Sequence, residues 1–199
     1  MTRVRKARPA DVPALARILH LSAADMYDRF SGGHTRALRA LERSLSEPGT
    51  ASSAEVVYLV EHDGEIAGAM AAFPVAEAHA RSRGFLRLAV RGSPRWRWPI
   101  ALYLYWTGGR LAPRPPASSF YVDALATAPR HRRRGVARAL LGEAERQASR
   151  RGLEAVALDT AQNNGAARAL YASAGFSEVA SRPPERGLPG FVGLVKTVS

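Results

Sequence analysis

Four arginines and a histidine stand directly before a glycine in the stretch RHRRRG, residues 130–135. A strand pattern ends just before this stretch, and a helical pattern begins at about Gly135. The first turn of a helix has N–H groups without intrahelical partners, and it lies at the positive end of the helix dipole. Gly135 lets a ligand approach the backbone closely, and Ala137 keeps that face small. The pattern therefore predicts an anion site suited to a pyrophosphate.

Two other interpretations of these arginines remain open. They can form a solvated loop, or they can bind nucleic acid. Neither GxxxxGK[ST] nor GxGxxG is present, so the site is neither a Walker loop nor the usual dinucleotide fingerprint.

Length and composition indicate a single domain with a sizeable core. The chain has 199 residues, of which 46% are hydrophobic and 23% charged, as in ordinary globular proteins. There is no cysteine, which excludes thiol nucleophiles, thiolate metal sites and thiol redox switches. The five histidines are scattered without an HExxH pattern, so we expect no metal.

The net charge of +12 has two interpretations. It can attract an anionic cofactor, a lipid surface or nucleic acid, or it can reflect an arginine-rich solvated surface, because only Lys6 and Lys196 are lysines. Residues 1–12 have no apolar segment of signal-peptide length. The most apolar stretch, residues 98–106, is about half the length that spans a bilayer. We therefore expect a cytoplasmic protein with no membrane partner.

Hydrophobic periodicity predicts one mixed α/β domain over residues 1–199, in the order β-α-α-β-β-insertion-β-α-β-α-β-β. Asp63-Gly64 predicts the turn of a hairpin over residues 55–75. The insertion, at about residues 76–118, is rich in aromatic residues and is predicted to contain a short helix. The remaining predicted strands cover residues 2–7, 119–127, 153–160, 176–181 and 190–198. One predicted helix begins at Pro9, and three others cover residues 34–49, 135–152 and 163–175.

Two spaced sequence motifs lie in the second half of the chain. The first is the run Pro129-x-x-Arg132-x-x-Gly135-x-Ala137 at a strand-to-helix junction, and the second, NGAARALYASAGF, follows about 30 residues later. The first resembles the acetyl-CoA signature [Arg/Gln]-x-x-Gly-x-[Gly/Ala] of the GCN5-related N-acetyltransferase (GNAT) family, and the second resembles that family's pattern Asn-x-x-Ala-x-x-Leu-Tyr-x-x-x-Gly-Phe. The matching residues of the second motif are Asn164, Ala167, Leu170, Tyr171, Gly175 and Phe176. The similarity covers most of the chain except residues 76–118.

The resemblance implies an α/β fold with a mostly antiparallel twisted sheet. About seven strands would be flanked by helices and splayed between strands 4 and 5, with acetyl-CoA in the opening. The backbone of Leu125, Ala126 and Thr127 would pair with the pantetheine arm. The pyrophosphate would be held by the backbone of Arg132, Arg133, Arg134, Gly135, Val136 and Ala137, with Arg138 beside it. Arg133 and Arg134 would also reach the 3′-phosphate, and Asn164 and Ala167 would lie near the cofactor.

The implied activity is direct attack of an amine, from a small molecule or a peptide, on the thioester. The amine must be neutral, and the leaving thiolate needs a proton. Tyr171 is the implied acid, although it can instead be a packed helix tyrosine. Asp123 shares a strand face with Leu125 and is the candidate base, although it can instead cap a loop or pair with an arginine. Glu77, His79 and Asp159 are weaker candidates, and a water chain often replaces a dedicated base in this family.

More than one interpretation remains open for the role of the aromatic insertion and for the function of the chain. The side chains of Trp96, Trp98, Tyr103, Tyr105 and Trp106 can form an aromatic wall of the acceptor pocket, an extra core layer or a homodimer interface. A second functional hypothesis is a CoA-binding module without turnover. The third is binding of nucleic acid, including acetylation of RNA or aminoacyl-tRNA, and we rank nucleic acid last because no RNA-binding motif accompanies the charge.

Overall fold

The computed structural model describes residues 2–185 and 187–198. Seven strands form one sheet, and seven α-helices pack around it in the described part of the chain. The strands are β1 (Thr2–Lys6), β2 (Val57–His62), β3 (Glu65–Pro74), β4 (Ser119–Thr127), β5 (Ala155–Ala161), β6 (Ser177–Arg182) and β7 (Phe191–Thr197). The helices are α1 (Val12–His20), α2 (Ala24–Ser31), α3 (His34–Ser46), α4 (Val75–Arg91), α5 (Trp98–Leu111), α6 (Val136–Arg150) and α7 (Gly165–Ser173).

The sheet has the order β1-β2-β3-β4-β5-β7-β6. Every neighbouring pair is antiparallel except β4 and β5, which run parallel. The chain between these two strands forms α6, as a parallel pair requires a crossover connection. The expected mostly antiparallel mixed sheet of seven strands is thereby confirmed.

The two faces of the sheet bury separate apolar layers. On one face, Leu15 and Leu19 of α1 and Leu41 of α3 pack against small strand residues such as Ala69 and Ala71. On the other face, α6 and α7 pack against the middle of the sheet. Residues of α6 in that layer are Val136, Leu140, Leu141, Ala144 and Ala148. The amphipathic spacing of α6 therefore fixes its first turn beside the carboxyl end of β4.

A β-bulge at Asp123 interrupts β4. In the pairing with β3, Ala71 opposes Ala124 while the next residue, Ala72, opposes Val122, so Asp123 has no partner. Side-chain alternation reverses there: Val122 lies in the layer with α6, whereas Ala124 lies in the layer with α1. The prediction that Asp123 shares a face with Leu125 by simple alternation thus overlooked a bulge between Val122 and Ala124.

The sheet opens at the same position. β4 and β5 pair only from Ser119 with Ala155 to Val122 with Leu158. Beyond this point, Ala124–Thr127 of β4 pair with β3 alone, and Asp159–Ala161 of β5 pair with β7 alone. The predicted splay between strands 4 and 5 is confirmed, and Asp123 and Asp159 are the first residues on its two sides.

The structure corrects the prediction for the insertion and for the region after α1. The helix predicted in the segment 76–118 is present as α5, but a second helix, α4, starts at Val75 and was not predicted. Helix α2 was not predicted, and Ser31 is its only fully buried residue. The Asp63-Gly64 turn formed as expected, with both φ angles positive. Among the described residues, none of the helices has the length and apolarity needed to cross a membrane.

Candidate active site

A deep cleft of about 1570 Å³ occupies the opening between β4 and β5. Its walls are the ends of these strands, the first turn of α6, helix α7, residues 21–27 around the start of α2, residues 187–189, and Phe191 at the start of β7. Among the residues predicted to bind the cofactor and the two main catalytic candidates, Arg134 does not line the cleft. The others line it: Asp123, Leu125, Ala126, Thr127, Arg132, Arg133, Gly135, Val136, Ala137, Arg138, Asn164, Ala167 and Tyr171.

At one end of the cleft, the loop before α6 forms a backbone cradle. Arg132 is extended, while Arg133 and Gly135 have positive φ angles of 59° and 78°. Successive N–H groups in turn conformations form anion-binding concavities, and the first turn of α6 adds N–H groups that lack helical partners. A Cβ atom built on Gly135 would meet nothing within 4 Å, so the space above this residue is open. The cradle can therefore accept an anion against bare backbone.

The cradle is anchored from beneath. The ring of His131 is buried, and its Nε2 lies 3.4 Å from the Glu65 carboxylate of β3. Arg130 forms an ion pair of 2.9 Å with the same carboxylate. Gly68 allows Val136 to pack directly on β3, because a Cβ at Gly68 would lie 2.5 Å from Val136 Cγ1. Two of the five basic residues in the stretch 130–134 thus position the loop, while Arg132 and Arg133 face the cleft.

The cleft-facing edge of β4 runs from the bulge to the cradle. Leu125, Ala126 and Thr127 line the cleft and have β3 as a neighbour on one side only. On the side toward β5, this segment has no strand partner within the described residues. An extended ligand can pair with such an edge as an additional strand would.

Two aspartates and two tyrosines meet where the strands separate. Tyr121 donates a hydrogen bond from its hydroxyl to Asp159 Oδ1. Asp123 and Tyr171 line the cleft beside Asp159. Burial, together with the charge of Asp159, raises the pKa of Tyr171 to about 12. The phenol of Tyr171 therefore keeps its proton at neutral pH.

The pKa values of the two carboxyl groups in this cluster are shifted by different interactions. Surrounding protein and the charge of Asp159 raise the pKa of Asp123 to about 7. The Asp123 side chain is nevertheless exposed to the open cleft, so water there moderates the size of this shift but not its direction. Burial also raises the pKa of Asp159, although the hydrogen bond from Tyr121 opposes this effect. Asp123 can thus exchange a proton near neutral pH, while Tyr121 holds Asp159 in place.

Helix α7 positions Tyr171. Asn164 caps the helix, with its side-chain oxygen accepting a hydrogen bond of 3.2 Å from the Ala167 N–H. The Tyr171 ring is 7% exposed and lies 6.0 Å from the ring of Phe176. Arg138 of α6 donates to Ser173 at the end of α7, which ties the two helices together. The residues of the second sequence motif thus fix the orientation of one phenol at the cleft.

Other predictions from the sequence are corrected by the structure. Glu77 forms an ion pair with Arg81 on α4, and neither Glu77 nor the exposed His79 lines the cleft. The aromatic residues of the insertion also lie outside the cleft, so they form no wall of it. Trp96, Trp98, Tyr103 and Trp106 are exposed, and Tyr105 contacts Trp106 edge to face. Helix α5 instead turns Leu104 and Leu111 inward, onto Leu188.

Three parts of the site were missed by the sequence analysis. Tyr121 was not singled out, although it lies two residues before Asp123 in the same strand. Tyr27 of α2 lines the cleft, and burial raises its pKa, with a further contribution from the charge of Asp123. Arg29 donates a hydrogen bond of 2.6 Å to the Gly187 carbonyl, joining α2 to the loop before β7. No local motif marked α2 or this loop, because only the fold brings them to the cleft.

A protein-family model matches less than half of the chain. Residues 99–176 match the model of the acetyltransferase (GNAT) family, and this segment contains both sequence motifs. The resemblance derived from the motifs is thereby confirmed. A search of curated proteins found no match.

Solved structures share the fold. An N-acetyltransferase from Staphylococcus aureus Mu50 has a TM-score of 0.76 at 21% identity, covering 98% of this chain and 100% of that protein. The ribosomal-protein-S18-alanine N-acetyltransferase from Escherichia coli has a TM-score of 0.58 at 17% identity, covering 100% and 95%. Ard1 from Thermoplasma volcanium has a TM-score of 0.60 at 16% identity, covering 100% and 98%. At these identities, the likeness establishes the fold alone.

Proposed function

We propose that this chain is an acetyl-CoA-dependent N-acetyltransferase acting on an amine acceptor, because residues 99–176 match the model of the acetyltransferase (GNAT) family. The observation that carries the proposal is the convergence of three features on one cleft. The backbone cradle at Gly135, the unpaired edge of β4 and the cluster of Asp123 and Tyr171 all line it. Each feature suits a different part of the reaction.

The residues present fit acetyl-CoA. The open space above Gly135 and the N–H groups at the start of α6 suit a pyrophosphate, and Arg132, Arg133 and Arg138 add positive charge at the cleft. Leu125 to Thr127 would pair with the pantetheine arm through their unpaired edge. When bound, acetyl-CoA supplies the acetyl group as a thioester.

Asp123 is the candidate base. An amine attacks only when it is neutral, and a group with a pKa near the working pH is the most effective acceptor of its proton. Asp123, with its pKa raised to about 7, is partly ionised at neutral pH and faces the cleft. Asp159, fixed by Tyr121, keeps a second carboxyl beside it. Both groups also favour a cationic acceptor over an anionic one as it enters the cleft.

Tyr171 is the candidate hydrogen donor to the leaving sulfur. A thiol has an ordinary pKa of about 8.5, so complete proton transfer from a phenol at about 12 would be uphill by about 5 kcal/mol. We therefore assign Tyr171 the role of donating a hydrogen bond that stabilises developing negative charge. Because the phenol stays protonated across the working range, this donation does not depend on pH below about 12.

Replacing Tyr171 by Phe tests the proposal. We expect acetyl transfer to an amine panel to fall by about 100-fold or more, with the affinity for CoA within about twofold of wild type. Tyr103→Phe is the matched control, because Tyr103 is an exposed tyrosine on α5 outside the cleft. Transfer is followed by mass spectrometry, and CoA binding by calorimetry.

The outcomes separate the competing hypotheses. If wild type binds CoA but acetylates no amine, the chain is a CoA-binding module rather than an enzyme. If wild type shows no heat with CoA, the assignment of the cradle is wrong. If Tyr171→Phe retains full transfer, the fold assignment stands but the phenol has no role in catalysis.

A further inference from the structure

Three side chains that could bind a metal converge where α1, α2 and α3 meet. His20 is the last residue of α1, Asp28 lies in α2, and His34 is the first residue of α3. One potential ligand atom from each lies within 4.8 Å of the other two. The His20 Nε2 atom is 2.7 Å from Asp28 Oδ1, and His34 Nδ1 is 3.8 Å from the same oxygen. We propose that these residues form a binding site for a divalent transition metal such as Zn²⁺.

The ligand set indicates the class of metal. Imidazole nitrogens favour Zn²⁺, Co²⁺, Ni²⁺ and Cu²⁺, whereas Mg²⁺ and Ca²⁺ prefer oxygen ligands alone. Two imidazoles and one carboxylate provide three protein ligands, which leaves a fourth tetrahedral position for water. The sequence did not reveal this set, because the residues are separated by 7 and 5 intervening positions and lie on different helices.

Two of the three ligand pairs require only small movements. Two ligands at about 2.0–2.1 Å from a tetrahedral zinc ion lie about 3.3 Å apart. The His20–Asp28 pair at 2.7 Å would open, and the His34–Asp28 pair at 3.8 Å would close, each by about 0.5–0.6 Å. Metal binding would replace the hydrogen-bonded contact between His20 Nε2 and Asp28 Oδ1.

One histidine of the cluster is buried and the other is exposed to solvent, which would allow a metal ion to enter. The side chain of His20 is 5% exposed, and His34 is 63% exposed. The buried imidazole supplies a fixed ligand, while the exposed imidazole can swing onto an ion that arrives from solvent. The two rings already lie edge to face, with centroids 4.7 Å apart.

The site would act on the cleft through α2. His20, Asp28 and His34 do not line the cleft, but Ala24, Asp25 and Tyr27 on the same helix do. An ion joining the ends of α1 and α3 to Asp28 would hold α2 against the rest of the domain. The role we assign to the metal is therefore to position one wall of the cleft and not to take part in the chemistry.

Zinc binding by the full chain without an affinity tag tests the inference. After removal of metal with a chelator, calorimetry should detect one Zn²⁺ per chain, and Co²⁺ should give visible absorption bands of a low-symmetry site. His34→Ala should weaken the affinity at least tenfold and abolish the rise in melting temperature that Zn²⁺ gives to wild type. His79→Ala is the matched control, because His79 is an exposed histidine on α4 away from the cluster.

Asp28→Asn provides a second variant that retains the side-chain shape. It should weaken zinc binding while leaving the helix intact, which circular dichroism can confirm. The inference is overturned if wild type binds no zinc, since the three residues would then form only a hydrogen-bonded contact. It is equally overturned if His34→Ala binds zinc as tightly as wild type does. These measurements use zinc and cobalt alone and are independent of acetyl transfer.

Discussion

Two glycines that flank α6 allow the effect of a substitution on CoA binding to be separated from its effect on backbone conformation. Gly135 precedes the first residue of the helix with φ 78°, and Gly152 follows its end with φ 64°. A Cβ atom built on either glycine would meet nothing within 4 Å. Gly135→Ala and Gly152→Ala therefore introduce the same backbone cost without a steric clash, but only Gly135 lies in the cleft.

The expected cost of each substitution follows from the left-handed conformation. An L-residue in this region costs about 1–2 kcal/mol relative to glycine. In a chain of 199 residues, this corresponds to a melting temperature lower by about 2–8 °C for both variants. For CoA, the expectation differs, because the new methyl group at position 135 would occupy the space that we assign to the pyrophosphate. We expect Gly135→Ala to weaken CoA binding at least tenfold, or about 1.4 kcal/mol, and Gly152→Ala to change it less than twofold.

Denaturant unfolding and calorimetry with CoA measure the two effects on the same samples. Calorimetry is performed at modest ionic strength, because salt screens the contribution of the arginines. Equal CoA affinities for the two alanine variants would refute the placement of the phosphates at Gly135. A loss of stability for Gly135→Ala far beyond that of Gly152→Ala would refute the view that its cost is conformational alone.

Two further predictions concern ionisable groups. Since the pKa of Asp123 is raised to about 7, kcat/KM should increase with pH as this carboxyl ionises, with an inflection near pH 7. Asp123→Asn should remove this inflection from the pH profile of kcat/KM. A pH profile unchanged by the substitution would contradict the assignment of Asp123 as the base. The hydrogen bond from Arg5 lowers the pKa of Asp11. The Asp11 carboxylate also accepts a hydrogen bond of 2.7 Å from the Arg8 N–H. Its stabilisation is present above the ordinary pKa of 3.8 and is lost as pH falls below that value through the lower folded pKa. Asp11→Ala should therefore cost about 1–3 kcal/mol of unfolding free energy at pH 7, and much less at pH 2, by urea unfolding at both pH values; an equal loss at both would show that the carboxylate charge is not involved.

Local patterns predicted the elements that carry the two motifs with small errors at their boundaries. The predicted strand 119–127 coincides with β4, and α6 begins at Val136, one residue after the expected start. Here, β-branched and aromatic residues, a proline after the strand and a positive-φ glycine before the helix all favour the same structure. In the insertion, the sequence predicted a helix, which corresponds to α5, but it did not predict α4.

The amino-acid order alone was sufficient to identify the backbone cradle and the helix bearing Tyr171, because each depends on residues close together in the chain. Hydrogen bonds of a helix terminus and the φ angle of a glycine are local properties, which a short motif can encode. The bulge at Asp123, the meeting of Asp123 with Asp159, and the cluster of His20, Asp28 and His34 depend instead on how separate elements pack. Such contacts join positions that no local pattern relates, and burial against the sheet is the force that brings them together.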